Sequence, residues 1–180
     1  MIFVDEVTIY IQSGSGGKGC ESYFKRTDKK LVPTGGDGGK GGDIIIRADR
    51  NINSLYAFRF NKHYHAESGH QGGGNQKTGK NGADLIIRVP CGTTILDKHE
   101  GLVIRDLIHE GDEVIALRGG EGGRGNHHHG REATPGENGS SLEMVLSLTL
   151  NADIFLVGDP NSGKSLLLNY LTGSRAKSES

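Results

Sequence analysis

Glycines recur at every third position in several separate stretches of this chain, and that spacing restricts the fold more than any other feature. Gly36, Gly39 and Gly42 keep the interval, and Gly35, Gly38 and Gly41 keep it one residue out of phase. Gly119, Gly122 and Gly125 repeat it with Gly120 and Gly123 beside them, as do the pairs Gly69/Gly72, Gly79/Gly82 and Gly136/Gly139. Polyproline II has three residues per turn, so this spacing lays a stripe of bare backbone along one face of each segment. Several such segments can then lie together with no side chain between them. Flexible linkers have no reason to keep the period. A collagen triple helix needs a long Gly-X-Y run rich in proline, and the chain has 4 Pro. With 30 Gly in 180 residues and an apolar fraction of 33%, much of the chain must pack backbone on backbone.

Between the glycine segments the pattern is that of short strands. From Ile2 to Gln12, Val7, Ile9 and Ile11 share one face, while Glu6, Thr8 and Tyr10 share the other. Asp43 to Arg47 and Asp84 to Arg88 resemble one another, and each follows a glycine-rich stretch. Thr93 to Leu96, Leu102 to Arg105 and Val114 to Leu117 are further short runs separated by turn signals. Leu142 to Leu150 alternates, with Leu142, Met144, Leu146, Leu148 and Leu150 on one side. The spacing predicts a mainly β module over residues 1–151.

At about Asn151 the character changes. Ile154 to Val157 is a continuous apolar run, expected of a strand buried on both faces of a parallel sheet. The loop Gly158-Asp159-Pro160-Asn161-Ser162-Gly163-Lys164-Ser165 fits Gly-x-x-x-x-Gly-Lys-Ser/Thr, and Leu166 to Leu171 begins an apolar helix. Strand, loop and helix predict the opening of an α/β domain over 152–180. Glycines let such a backbone curve around an anion, and N–H groups from about Asn161 to Ser165 would meet phosphate oxygens at the positive helix end. Lys164 would bridge the β- and γ-phosphates as the catalytic cation, and Ser165 would place its hydroxyl on Mg²⁺.

Charge and cysteine content narrow the setting. With 21 Lys and Arg against 22 Asp and Glu, the net charge of -1 makes no global case for nucleic acid. Cys20 and Cys91 read as reduced free thiols. No apolar run approaches membrane-spanning length, and Asp5 and Glu6 argue against a signal peptide. A cytoplasmic, soluble protein is expected.

The chain resembles the N-terminal part of the bacterial Obg-family GTPases along essentially its whole length. The resemblance rests on Phe3 to Val7 with Gly16-Gly17-Lys18-Gly19-Cys20, and on the tract from Val32 to Asp43. It continues in Lys77 to Leu85, Val89-Pro90-Cys91-Gly92-Thr93, Gly119 to Asn126, Pro135-Gly136-Glu137 and the loop Gly158 to Ser165. It implies a mainly β Obg fold: a β-barrel-like base with a projecting bundle of glycine-rich polyproline-II helices. The first strand, P-loop and helix start of a Ras-like GTPase domain would follow. It also implies slow, Mg²⁺-dependent GTP hydrolysis, GTP/GDP as ligands, guanine tetraphosphate (ppGpp) as a linked stress signal, and a role in late assembly of the large ribosomal subunit. The glycine-rich module is then the part that contacts ribosomal RNA, in a monomer. Asp159 stands where the family often has an apolar residue, and Ser162 where Ala is usual. Fifteen residues after Ser165 cannot hold a switch Thr, Asp-x-x-Gly and Asn-Lys-x-Asp, so an N-terminal piece of a longer GTPase, inactive alone, is expected. An unrelated P-loop ATPase or kinase with a glycine-rich scaffold is the alternative.

Lys25, Arg26, Lys29 and Lys30 form a basic cluster beside Tyr23 and Phe24, in a loop between two glycine segments. Lys77, Lys80, Arg124 and Arg131 lie in other such segments. If these loops converge, the charges would bind RNA phosphates without sequence preference. His127-His128-His129 has no nearby Cys or carboxylate at ligand spacing and reads as solvated loop histidines.

Overall fold

The computed structural model describes residues 5–28, 30–128, 132–149, 156–159 and 162–172. It divides into a unit of residues 1–149 and a unit of residues 150–180.

The larger unit is built on two sheets. One has the strand order β5-β1-β10-β7-β8 and contains β1 (Glu6–Gln12), β5 (His63–His65), β7 (Thr93–Asp97), β8 (Val103–Leu107) and β10 (Ser141–Leu148). The other has the order β6-β4-β9 and contains β4 (Ile44–Ala48), β6 (Leu85–Val89) and β9 (Glu113–Leu117). β1 and β10 pair antiparallel from Glu6↔Ser147 to Gln12↔Ser141. That register puts Val7, Ile9 and Ile11 with Met144, Leu146 and Leu148 on one buried face. Ile44, Ile46 and Ala48 of β4, with Ile87 and Val89 of β6, belong to the same core. Phe58, on the 3-10 turn Tyr56–Arg59, packs there too. Complete burial of one such Ile contributes about 1.5–3 kcal/mol. The strict alternation follows from the period-two geometry of a strand with one wet face.

Above these sheets lie glycine-rich segments 13–20, 34–43, 66–73, 77–84, 119–126 and 134–140, none of them strand. Their cross-links advance in steps of three residues. The N–H groups of Gly14, Gly17 and Cys20 donate to the carbonyls of Gly42, Gly39 and Gly36, so these two segments run antiparallel. Those of Gly120, Gly123 and Asn126 donate to Gly14, Gly17 and Cys20, in parallel. Gly36, Gly39 and Gly42 in turn donate to Gly73, His70 and Glu67. A three-residue ladder between segments is what polyproline II geometry provides, since it leaves its own N–H groups free to bond outward. A Cβ added at Gly17, Gly38, Gly41 or Gly122 would overlap a neighbouring carbonyl. Glycine serves there by leaving space: among the described residues the positive-φ glycines are Gly92, Gly101, Gly111 and Gly163, all outside the bundle segments.

The two similar Asp-led strands are partners. β4 and β6 pair in parallel, Ile44↔Leu85 through Ala48↔Val89. The same offset continues into the bundle, where Asp43 N–H donates to Asp84 Oδ1 at 2.8 Å and Lys40 N–H to Asn81 Oδ1 at 2.9 Å. Sheet and bundle are thus one continuous register.

Two segments depart from expectation. Residues 23–33, expected as a loop, form a hairpin of β2 (Tyr23–Lys25) and β3 (Leu31–Pro33). Its side chains are largely exposed, so no alternation announces it. Ile154 and Phe155 lie outside the described residues, while Leu156 and Val157 are not strand and Val157 is 94% exposed. A strand buried on both faces needs neighbouring strands and helices; among the described residues of that unit there is one helix, α1 (Lys164–Thr172).

Candidate functional site

The phosphate loop is described at Gly158, Asp159 and Ser162 to Ser165; Pro160 and Asn161 lie outside the described residues. Gly163 has φ +82° in open space, a left-handed turn that glycine adopts without strain, and α1 starts at the next residue. Ser162 N–H donates to the Asp159 carbonyl at 3.2 Å, folding the loop back on itself. The Lys164 ammonium donates to the carbonyls of Gly158 (2.7 Å) and Asp159 and to Ser162 Oγ (3.3 Å). The lysine therefore lies across the mouth of the loop. Lys164 and Ser165 occupy the first turn of α1, where backbone N–H groups have no acceptor within the helix. An ammonium and the first-turn N–H groups of a helix thus lie on one short loop.

The basic candidates are ordered by the bundle. Gly14 and Gly42 are next to the sheets, Cys20 and Gly36 are farthest from them, and the β2–β3 hairpin continues that pairing through Thr34 N–H to Ser22 O at 2.7 Å. Lys25, Arg26 and Lys30 are exposed on this hairpin, with Tyr23, Phe24 and Leu31 exposed beside them. Lys77 is at the same end, its carbonyl accepting from Gly73 N–H (2.7 Å), whose own carbonyl accepts from Gly36 N–H. Arg124 is close by in register, since its N–H donates to Thr134 Oγ1 and the Thr134 carbonyl accepts from Gly19. Lys80 lies nearer the sheets, bonded through its carbonyl to His70, which pairs with Gly39. Lys29 and Arg131 lie outside the described residues.

Four polar side chains at this end were not legible as partners. Asn126 is fully buried; its Oδ1 accepts from Gly35 N–H at 2.7 Å and from Ser22 N–H at 3.4 Å. Asp37 accepts from Gly125 N–H at 2.7 Å and faces His128 Nε2 at 3.0 Å. Burial pushes the Asp37 carboxyl up, but His128, the Gly125 N–H and His127 together hold it below the ordinary carboxylate range. His127 Nδ1 lies 2.6 Å from the Gly35 carbonyl and its ring is half-buried, so His127 and His128 are not simply solvated; His129 lies outside the described residues. Asp43 plays a related part nearer the sheets: Gly119 N–H (2.8 Å), then Lys40 (3.3 Å), hold its carboxyl below the usual range. Both aspartates stand where the three-residue ladder would otherwise want a backbone acceptor. Cys20 and Cys91 are free thiols. Among the described residues no helix is long and apolar enough to cross a membrane.

Comparison with known proteins agrees with the glycine architecture. The family model described as GTP1/OBG matches residues 4–150, and one described as 50S ribosome-binding GTPase matches residues 153–180. A GTPase Obg of Chlorobium phaeobacteroides is 45% identical, the alignment covering 98% of this chain and 57% of that protein. A GTPase Obg of Caldicellulosiruptor bescii is 46% identical over 97% of this chain and 43% of its own length. One of Orientia tsutsugamushi is 45% identical over 98% of this chain and 56% of its own length. The chain thus spans about half the length of the curated relatives it matches. A likeness that runs through bundle, sheets and phosphate loop alike sets aside an unrelated ATPase or kinase, and the chain belongs to the GTP1/OBG family.

Proposed function

We propose that this chain is the ribosome-docking module and nucleotide-loop segment of a cytoplasmic, monomeric GTP-hydrolysing protein that acts in assembly of the large ribosomal subunit. The observation that carries this reading is one chain holding both elements. An exposed basic and aromatic hairpin closes one end of the glycine bundle, and a Gly-x-x-x-x-Gly-Lys-Ser loop opens α1. The partial match of 153–180 to a family described as 50S ribosome-binding GTPase supports it.

In this reading Gly158 to Ser165 hold the phosphates of GTP or GDP, with ppGpp as a competing ligand of the same loop. The first-turn N–H groups meet the phosphate oxygens, and Lys164 exchanges its carbonyl partners for the β- and γ-phosphates. Ser165 is the residue that would hold Mg²⁺, which when bound neutralises charge developing on the phosphates. At the other site Lys25, Arg26, Lys29, Lys30, Lys77, Lys80, Arg124 and Arg131 bind RNA phosphates, while Tyr23 and Phe24 offer faces for unpaired bases. Arg is suited to two-pronged phosphate contacts and Lys to point-charge contacts.

Co-sedimentation with purified large ribosomal subunits tests the docking half. Reversing Lys25, Arg26, Lys29 and Lys30 to Glu should release the chain from the subunit fraction; unchanged sedimentation defeats the reading. In the protein carrying its whole GTPase domain, Lys164→Ala should remove GTP binding while leaving subunit docking in the absence of nucleotide intact.

A further inference from the structure

The structure brings two histidines and a carboxylate together from segments far apart in sequence. One ring nitrogen each from His127 and His128, and one carboxylate oxygen of Asp37, lie within 4.8 Å of one another. The His128 Nε2 to Asp37 Oδ2 separation is 3.0 Å, and His127 Nδ1 is 4.0 Å from Asp37 Oδ1. A tetrahedral ion with bonds of about 2.0–2.2 Å holds its ligand atoms roughly 3.2–3.5 Å apart. Small rotations of the side chains therefore reach coordination distance, and the His128 ring is free enough to make them, its side chain being 47% exposed.

The surroundings hold the carboxylate and the two histidine segments in place. Asp37 Oδ1 is anchored by Gly125 N–H at 2.7 Å, which leaves Oδ2 toward His128. His127 Nδ1, the nitrogen that faces Asp37, lies 2.6 Å from the Gly35 carbonyl, so the ring must give up that hydrogen bond or turn to offer a lone pair to the ion. Both segments are clamped beneath by buried Asn126, whose Oδ1 takes the Gly35 N–H. Two imidazoles and one carboxylate suit zinc or a similar borderline divalent ion, with a further position left to water.

We propose that Asp37, His127 and His128 form a site for a zinc-class divalent cation that pins segment 34–43 to segment 119–128 at the hairpin end of the bundle. The bound ion takes the place of the proton between His128 and Asp37 and fixes the platform that carries β2 and β3.

Zinc titration of the whole chain followed by calorimetry tests this, with Co²⁺ absorption as a second reading. The wild type should bind one equivalent and give visible Co²⁺ bands of a low-symmetry site. His128→Gln and Asp37→Asn should each weaken zinc by at least about 10-fold, the smallest loss expected even for an outer partner, and remove the bands. His128 is exposed, so its variant keeps the fold and remains informative if Asp37→Asn unfolds. His63→Gln, on β5, should bind as the wild type does. Undiminished affinity in folded Asp37→Asn would mean that the histidine run binds ions unaided, and it would overturn the site, as would the absence of saturable binding at sub-millimolar zinc.

Discussion

At the scale of single residues, two kinds of group hold the bundle: glycines that make room and aspartates that supply acceptors. A Cβ at Gly38 would overlap the Gly17 carbonyl, whereas one at Gly73 would meet only Lys77, its Cβ 3.4 Å and its carbonyl oxygen 3.8 Å away, both ordinary contacts. Gly38→Ala should therefore cost about 4 kcal/mol or more, since backbone on both sides must move. Gly73→Ala should lie within roughly 0.5 kcal/mol of the wild type. Urea unfolding of the two variants decides; equal destabilisation would mean that the period is not a packing device. Asp43 gives a test in pH. Gly119 N–H and then Lys40 lower its native pKa, so its ionised form stabilises the fold above the ordinary carboxylate range. That contribution fades as pH falls through the lowered native value. Asp43→Asn keeps an acceptor oxygen and removes the charge. It should be about 1 kcal/mol less stable than the wild type near neutrality, with solvent screening included, and the gap should close in acid. A gap that stays constant from neutral to acid pH would show that the charge contributes nothing.

Among the elements, β4 and β6 connect core to bundle through one register, and their two faces should respond differently to truncation. Ile46 is fully buried, whereas Ile86 on the adjacent strand is 41% exposed. Ile46→Ala should cost about 2–5 kcal/mol, and Ile86→Ala under roughly 1 kcal/mol; thermal unfolding orders them. The strands with one wet face, β1 and β10 above all, were legible because burial imposed alternation on their side chains. The similarity of Asp43–Arg47 to Asp84–Arg88 was legible too, but its meaning was not. Parallel pairing is set by backbone bonds such as Leu85 N–H to the Asp43 carbonyl, which leave no hydropathy trace. The β2–β3 hairpin escaped for the opposite reason: exposed on both sides, it has no pattern to read. In the loop before α1 the turn and helix start were legible, because glycine at 163 takes the left-handed conformation from which the helix begins. The approach of Asp37 to His128, 91 residues away, was not, because only the three-residue ladder brings them level.

For the molecule as a whole, charge decides how nucleic acid can be held. A net charge of -1 creates no long-range attraction for RNA. Surface charges elsewhere are partly paired, as with Arg47 on Glu113 at 2.6 Å and Lys98 on Glu143 at 2.7 Å. In the proposed docking role, binding to ribosomal RNA would have to come from a local set at the hairpin end, and its salt dependence would measure the size of that set. Removing one cation that meets a phosphate should lower the slope of log affinity against log salt by about 0.7–0.9. Lys25→Glu, Arg26→Glu and Lys30→Glu together should therefore flatten the slope by roughly 2–3 and weaken binding similarly across RNA sequences. Arg50→Glu, in the loop after β4 and facing Glu110 at 3.8 Å, should leave the slope unchanged. Filter binding across a salt series reads both slopes. If Arg50→Glu flattened the slope as much as the hairpin variants, RNA would be held by diffuse surface charge, and the hairpin would lose its place as the docking element.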